Sequence, residues 1–153
     1  MLRQSKPPRT ISKGFTLIEL MVAVAVVAIL GTIAMVTYTK QIQKSRRTDA
    51  RSAVLDLAGR EEKLFSTTNA YSDKPVDLGY GIAGDVFPMN VGSNYYQVTV
   101  TIPVLPNPPI SYTITATPIN AQLKDTSCTS LSVDQLGSQT AIPAGNAAEC
   151  WGN

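Results

Sequence analysis

Reactive side chains are sparse in this 153-residue chain, and the one whose position demands a chemical explanation is Glu19. It lies in Gly14-Phe15-Thr16-Leu17-Ile18-Glu19-Leu20, inside an apolar stretch that follows a leader carrying Arg3, Lys6, Arg9 and Lys13 and no acid. From Leu20 to Thr39 no residue is charged. At about 1.5 Å rise per residue, a helix of that length crosses a hydrocarbon core of roughly 30 Å, which puts Glu19 at or just inside the membrane boundary. A carboxylate at the bilayer centre costs roughly 2.5 to 3.5 kcal/mol on insertion scales and less near the interface, so such a residue calls for a partner.

The remaining chemistry is thin. The chain has no histidine, no glycine-rich phosphate loop and no paired carboxylates in a cleft-forming region, and Glu61, Glu62 and Lys63 read as a charged helix face. Acid, base and nucleophile constellations are missing, so the chain reads as a non-enzyme with no catalytic residue, no cofactor and no metal site. Cys128 and Cys150 are the only cysteines. Lying beyond a membrane segment, they fit a disulfide in an oxidising compartment, worth roughly 3 kcal/mol by loop-closure entropy; two unpaired buried thiols are the alternative.

The elements that position these residues follow from composition. A secretory signal is cut on the far side of its apolar core, whereas here the small residue, Gly14, precedes the core and no Ala-x-Ala-like site follows Gly31. Cleavage at Gly14 would leave the apolar segment on the mature protein. Between Phe15 and about Ser66 there is no proline, which predicts one helix: residues 15–39 as a transmembrane and assembly segment, and residues 40–66 as an amphipathic half. Ala50, Ala53, Val54, Leu57, Ala58, Leu64 and Phe65 form a stripe that can pack on a sheet, with Leu55 off it. Lys40, Lys44, Arg46, Arg47 and Arg51 read as a solvated basic band facing headgroups or stopping transfer, in preference to a filament contact or nucleic-acid contact. From Ser52 onward four basic residues face nine acidic ones.

Residues 67–153 read as a globular head. Turn residues mark a loop over 67–93 that connects the helix to the sheet. Alternation then predicts a sheet over 94–133, with Tyr96, Val98, Val100 and Ile102 on one face, then Tyr112, Ile114 and Ala116, then Leu131 and Val133. Pro103 to Pro109 reads as a hairpin loop. The fold class is α+β, a long N-terminal helix on a small antiparallel sheet of three to four strands.

Lys13-Gly14-Phe15-Thr16-Leu17-Ile18-Glu19-Leu20-Met21 resembles the type III signal of type IV prepilins. The resemblance implies that residues 1–14 are a leader, that a prepilin peptidase cuts between Gly14 and Phe15, and that the new amine of Phe15 is N-methylated. It further implies that Glu19 acts in assembly, pairing with the Phe15 amine of a neighbouring subunit so that two charges costly in an apolar filament core neutralise each other. The alternative is that Glu19 reaches up to the headgroups. The family usually has a glycine and a proline in the apolar half, aligned here with Ala28 and Val36, so this chain lacks the proline at which the helix melts. Tyr95-Tyr96, Tyr112 to Pro118, Cys128 and Cys150-Trp151 resemble the PilE-type minor pilins of Gram-negative bacteria, which implies a disulfide-bonded loop over 128–150, with Trp151 capping the core in preference to binding a ligand.

The Lys/Arg counts flanking the apolar segment nearly balance, so charge does not orient the chain. The cysteines and the resemblance place the head outside the cytosol: an inner-membrane, single-pass precursor with a periplasmic C-terminal domain, then an extracellular pilus. The function that follows is a structural subunit of a type IV pilus, a minor pilin serving assembly, surface adhesion and twitching motility. Its partners are other pilin subunits, the prepilin peptidase, the inner-membrane assembly machinery and the membrane itself. A pseudopilin of a type II secretion system is one alternative. A DNA-uptake pilin is another, which would need an exposed basic patch where only Lys74 and Lys124 lie beyond Lys63; nucleic acid is therefore not an expected partner.

Overall fold

The structure, a computed structural model, describes residues 14–81, 84–103 and 110–152. The leader up to Lys13 and most of the proline-rich hairpin loop lie outside the described residues. The chain divides into two units, one up to Thr39 and one from Lys40 onward.

Helix α1 covers Leu17–Thr68 as an unbroken α-helix. Thr16 caps its start: the Thr16 Oγ1 accepts the Glu19 N–H at 3.3 Å, and the Thr16 carbonyl accepts the Leu20 N–H at 3.2 Å. With no proline in the span, nothing removes a hydrogen bond between these ends. At the far end the Thr67 and Thr68 hydroxyls bond back to the Leu64 carbonyl, and Asn69 takes a left-handed conformation (φ 54°) with its N–H on the Phe65 carbonyl. Asparagine is one of the few residues that tolerate that geometry, and it closes the helix.

In the second unit, five antiparallel strands form a meander: β1 (Met89–Val91), β2 (Tyr96–Thr101), β3 (Thr113–Pro118), β4 (Ser130–Asp134) and β5 (Gln139–Ile142), in that spatial order. The register pairs Val98 with Ala116, Ala116 with Leu131 and Leu131 with Ala141, so one apolar row runs across four strands. Together with Tyr96, Val100, Ile114 and Val133 it meets Ala50, Val54 and Leu57 of α1 in a single core. Each large side chain buried there contributes roughly 1.5 to 3 kcal/mol. Leu55, off the stripe, is 47% exposed. Ile102 lies just past β2 and is only half-buried against the core.

The sheet has five strands where three to four were expected. Strand β1 is three residues long between Pro88 and Gly92, too short for alternation to register. Strand β5 buries one side chain, Ala141, and is defined by its pairing with β4. A short helix α2 (Ala147–Trp151) packs beside β5.

Candidate functional site

The first candidate site is the start of α1. Gly14, Phe15 and every described side chain from Leu17 to Thr39 are exposed, and the most apolar 18-residue window has a mean hydropathy of 2.6 with none of it buried. Its threonines are quiet: the Thr32, Thr37 and Thr39 hydroxyls donate to the Ile29, Ile33 and Met35 carbonyls of the same helix, which satisfies these donors within an exposed apolar surface. Thr16-Leu17-Ile18-Glu19 also has the Thr-x-x-Glu spacing of a capping box, of which the structure shows the half in which Thr16 Oγ1 accepts the Glu19 N–H. A carboxylate in the first turn is favoured by the helix dipole as well.

The basic band is not a solvated face throughout, which corrects the reading of Lys40 to Arg51. Arg47 is 5% exposed. Its Nε and Nη2 donate to Asp125 at 2.6 and 2.7 Å, and its Nη1 donates to Glu149 at 2.9 Å. The hydrogen bond to Asp125, and secondarily the one to Glu149, holds the guanidinium well above its usual range against the opposing effect of burial. Gln122 joins this cluster, its two amide N–H groups shared among Asp125 at 2.9 Å, the Tyr96 hydroxyl at 3.1 Å and the Gln43 carbonyl at 3.3 Å. Arg46 stacks over the Tyr95 ring, 3.5 Å from its centroid, and Arg51 fills the space a side chain at Gly152 would need. Arg47 is thus tied by ion pairs to Asp125, just past the 3-10 turn Asn120–Lys124, and to Glu149 of α2, while Arg46 packs on Tyr95 and Arg51 lies against Gly152. Lys40 and Lys44 stay exposed.

Cys128 and Cys150 are joined in a disulfide. Trp151 beside it is 5% exposed and its indole N–H donates to the Thr140 carbonyl at 2.8 Å, so it caps the core and is not open to a ligand. Within the loop so closed, Asp134 accepts the N–H groups of Leu136 and Ser138 at 2.9 and 2.8 Å, and these bonds hold its carboxylate below its ordinary range.

On the opposite flank, Glu61 is completely buried, an outcome that its place in a charged-looking run concealed. Its neighbour Glu62 accepts hydrogen bonds from the Tyr71 and Tyr112 hydroxyls at 3.1 and 3.3 Å. Burial foremost, with the Glu62 charge and hydrogen bond, pushes Tyr71 up to about 12. Beside this cluster an open groove of about 850 Å³ runs between α1 and the loop segment Val76–Gly79. Its basic wall is Arg60, which bonds Asp56 and the Leu78 and Gly79 carbonyls, and Lys63.

The chain thus joins an exposed apolar helix start to a disulfide-closed α+β head, and comparison with known proteins gives that architecture a family. A family model described as "Type IV minor pilin ComP, DNA uptake sequence receptor" matches residues 37–132, more than half of the chain, and a model of the prokaryotic N-terminal methylation motif matches residues 9–35. The chain belongs to the type IV pilins. The type IV major pilin protein PilA of Myxococcus xanthus (strain DK1622) is 35% identical over 69 residues, 45% of this chain and 31% of the relative. Fimbrial protein EcpC of Eikenella corrodens is 37% identical over 82 residues, 51% of this chain and 50% of the relative. Fimbrial protein Q of Moraxella bovis is 35% identical over 88 residues, 54% and 56% of the two chains. The chain thus aligns with about half or less of the length of these relatives. Among solved structures, a type IV pilin from Shewanella oneidensis aligns with 69% of this chain and 96% of its own at 24% identity and a TM-score of 0.47.

Proposed function

We propose that this type IV pilin is made as a prepilin, cut after Gly14, N-methylated on Phe15 and built into a pilus as a minor subunit serving assembly, adhesion and twitching motility. The observation that carries the reading is the apolar start of α1, none of whose most apolar window is buried although its mean hydropathy is 2.6. That surface suits lipid in a precursor anchored in the inner membrane with a periplasmic head, and suits other pilin helices in an extracellular filament. Removal of residues 1–14 by a prepilin peptidase would create an amine on the same helix as Glu19, and in a staggered assembly the amine of one subunit answers the carboxylate of the next. The assembly machinery of the inner membrane is the remaining partner. The matched methylation motif supports the processing step. Mass spectrometry of sheared pili tests the proposal: a trace peptide beginning at methylated Phe15 is the expected result. A dominant one makes the chain a major pilin, and its absence from pili, with a secretion defect in the deletion strain, makes it a pseudopilin.

The description of the matching family favours a second reading, a pilin that takes part in DNA uptake. The bases available to phosphates on the head are few, since Arg47 and Arg60 are committed to carboxylates while Lys63, Lys74 and Lys124 are exposed. Binding of duplex DNA to the full chain over a series of salt concentrations separates the readings. A DNA receptor shows binding that weakens steeply with salt, with a slope reduced by about one for each of these lysines changed to alanine. No binding at low salt leaves the structural role alone.

A further inference from the structure

The chain that leaves α1, residues 70–79, is pinned to the helix by the Tyr71 hydroxyl on Glu62, by Arg60 on the Leu78 and Gly79 carbonyls and, deepest of these, by the Ser72 N–H on Glu61. Glu61 is completely buried, its Oε2 accepts the Ser72 N–H at 3.2 Å, and its Oε1 has no hydrogen-bond partner among the described residues. The groups that face it are acidic or phenolic: Glu62 from α1, Asp73 and Asp77 from the loop, and the Tyr71 and Tyr112 hydroxyls, both of which bond Glu62. The neighbouring base on the helix, Arg60, is engaged with Asp56 and two carbonyls. Among the described residues no three carboxylate, histidine or cysteine side chains are placed to hold a metal ion. A buried charge must be paired or lost, and with no base or metal-ligand set beside it among the described residues, a proton is the species that neutralises this carboxyl. Burial first, then the Glu62, Asp73 and Asp77 charges, pushes this carboxyl up to about 7 against the opposing Ser72 hydrogen bond.

We infer that Glu61 is a proton-operated latch, closed when its carboxyl is neutral and loosened when it ionises, through which pH reshapes the groove between α1 and the loop. The route is short. Ser72, whose N–H bonds Glu61, donates its hydroxyl to Asp77 at 2.6 Å, and Asp77 with Val76, Leu78 and Gly79 forms the outer wall of the groove. Ionisation strengthens the Ser72 bond itself, but the cost of a buried charge and the repulsion of Glu62, Asp73 and Asp77 outweigh it, so the hold on 70–79 loosens while Arg60 still tethers the Leu78 and Gly79 carbonyls. The latch lies wholly within the unit from Lys40 onward and stands independently of filament membership.

Hydrogen exchange followed by mass spectrometry on the full chain in detergent micelles, from pH 5 to pH 8.5 and corrected for intrinsic exchange, tests it. Local opening of 70–79 is expected to rise about tenfold between pH 6 and pH 8, as one proton taken up on closing requires, and to be flat in Glu61→Gln. A flat wild type, or the same slope in Glu61→Gln, overturns the latch. Should that variant not fold, a carbon-13 titration of the Glu61 carboxyl in the wild type decides: a midpoint near 7 supports it and one below 5 sinks it.

Discussion

Two buried charges of opposite kind govern the head at the scale of the residue. Arg47 is satisfied by Asp125, itself 1% exposed in its side chain, and by the exposed Glu149. Removing one partner of a buried pair strands the other, so Arg47→Ala is expected to destabilise the head by about 3 to 5 kcal/mol, whereas replacing Arg47 and Asp125 together by apolar residues is expected to cost far less. Urea denaturation of the two variants checks both values. Glu61 has the contrary logic. Its carboxyl rises from 4.5 to about 7 on folding, so the folded state holds a proton that the unfolded state has released. The stabilisation is full below about pH 4.5, declines as pH rises and is lost above about pH 7. Glu61→Gln, which cannot ionise, is therefore expected to match the wild type near pH 4.5 and to exceed it by about 3 kcal/mol at pH 8. Equal stability of the two chains at pH 8 would show that the ionised carboxylate costs nothing there.

At the scale of the element, α1 does different work along its length. Past Lys40 its apolar stripe faces a sheet, and the spacing of Ala50, Val54 and Leu57 suffices to explain the packing. Up to Thr39 no stripe exists, and the helix depends on its cap, its continuity and the internal bonding of its threonines. Glu19 is the polar feature of this half that the helix itself does not need beyond its first turn. Glu19→Ala is expected to insert and be processed normally and to lower incorporation into filaments at least tenfold, measured by quantitative immunoblot of sheared pili. The N–H bond to Thr16 that caps the helix survives this substitution, so unprocessed or degraded precursor would point to folding instead of assembly.

At the scale of the whole molecule, the head is closed by one covalent bond near its C-terminus. The Cys128–Cys150 disulfide ties the start of β4 to α2, and Trp151 then lies over β5. Cys128→Ser with Cys150→Ser is expected to lower the head's stability by about 2 to 5 kcal/mol and to leave β1 to β3 paired, because their core is built on α1. Thermal unfolding with and without reductant measures the first, and amide protection of Val98 and Ala116 the second.

Much of this was readable one residue at a time. The uncharged run after Glu19, the absence of proline up to Ser66, the stripe from Ala50 and the alternation at Tyr96 to Val100 and at Tyr112 to Ala116 each encode a local period, and local periods survive in the sequence. What needed the tertiary structure was whatever depends on partners distant along the chain. Strands β1 and β5 exist through their neighbours' hydrogen bonds, since three or four residues carry too little pattern to declare themselves. Arg47 and Glu61 looked like two more charges on a solvated helix, and only the approach of Asp125, 78 residues away, to the one and of Ser72, 11 residues away, to the other reveals that both are buried. By itself the sequence determined the class of subunit, an apolar helix with a carboxylate at its head and a cysteine-closed domain behind it. The tertiary structure decided which of its charges are structural, because burial is a property of the surroundings and not of the residue.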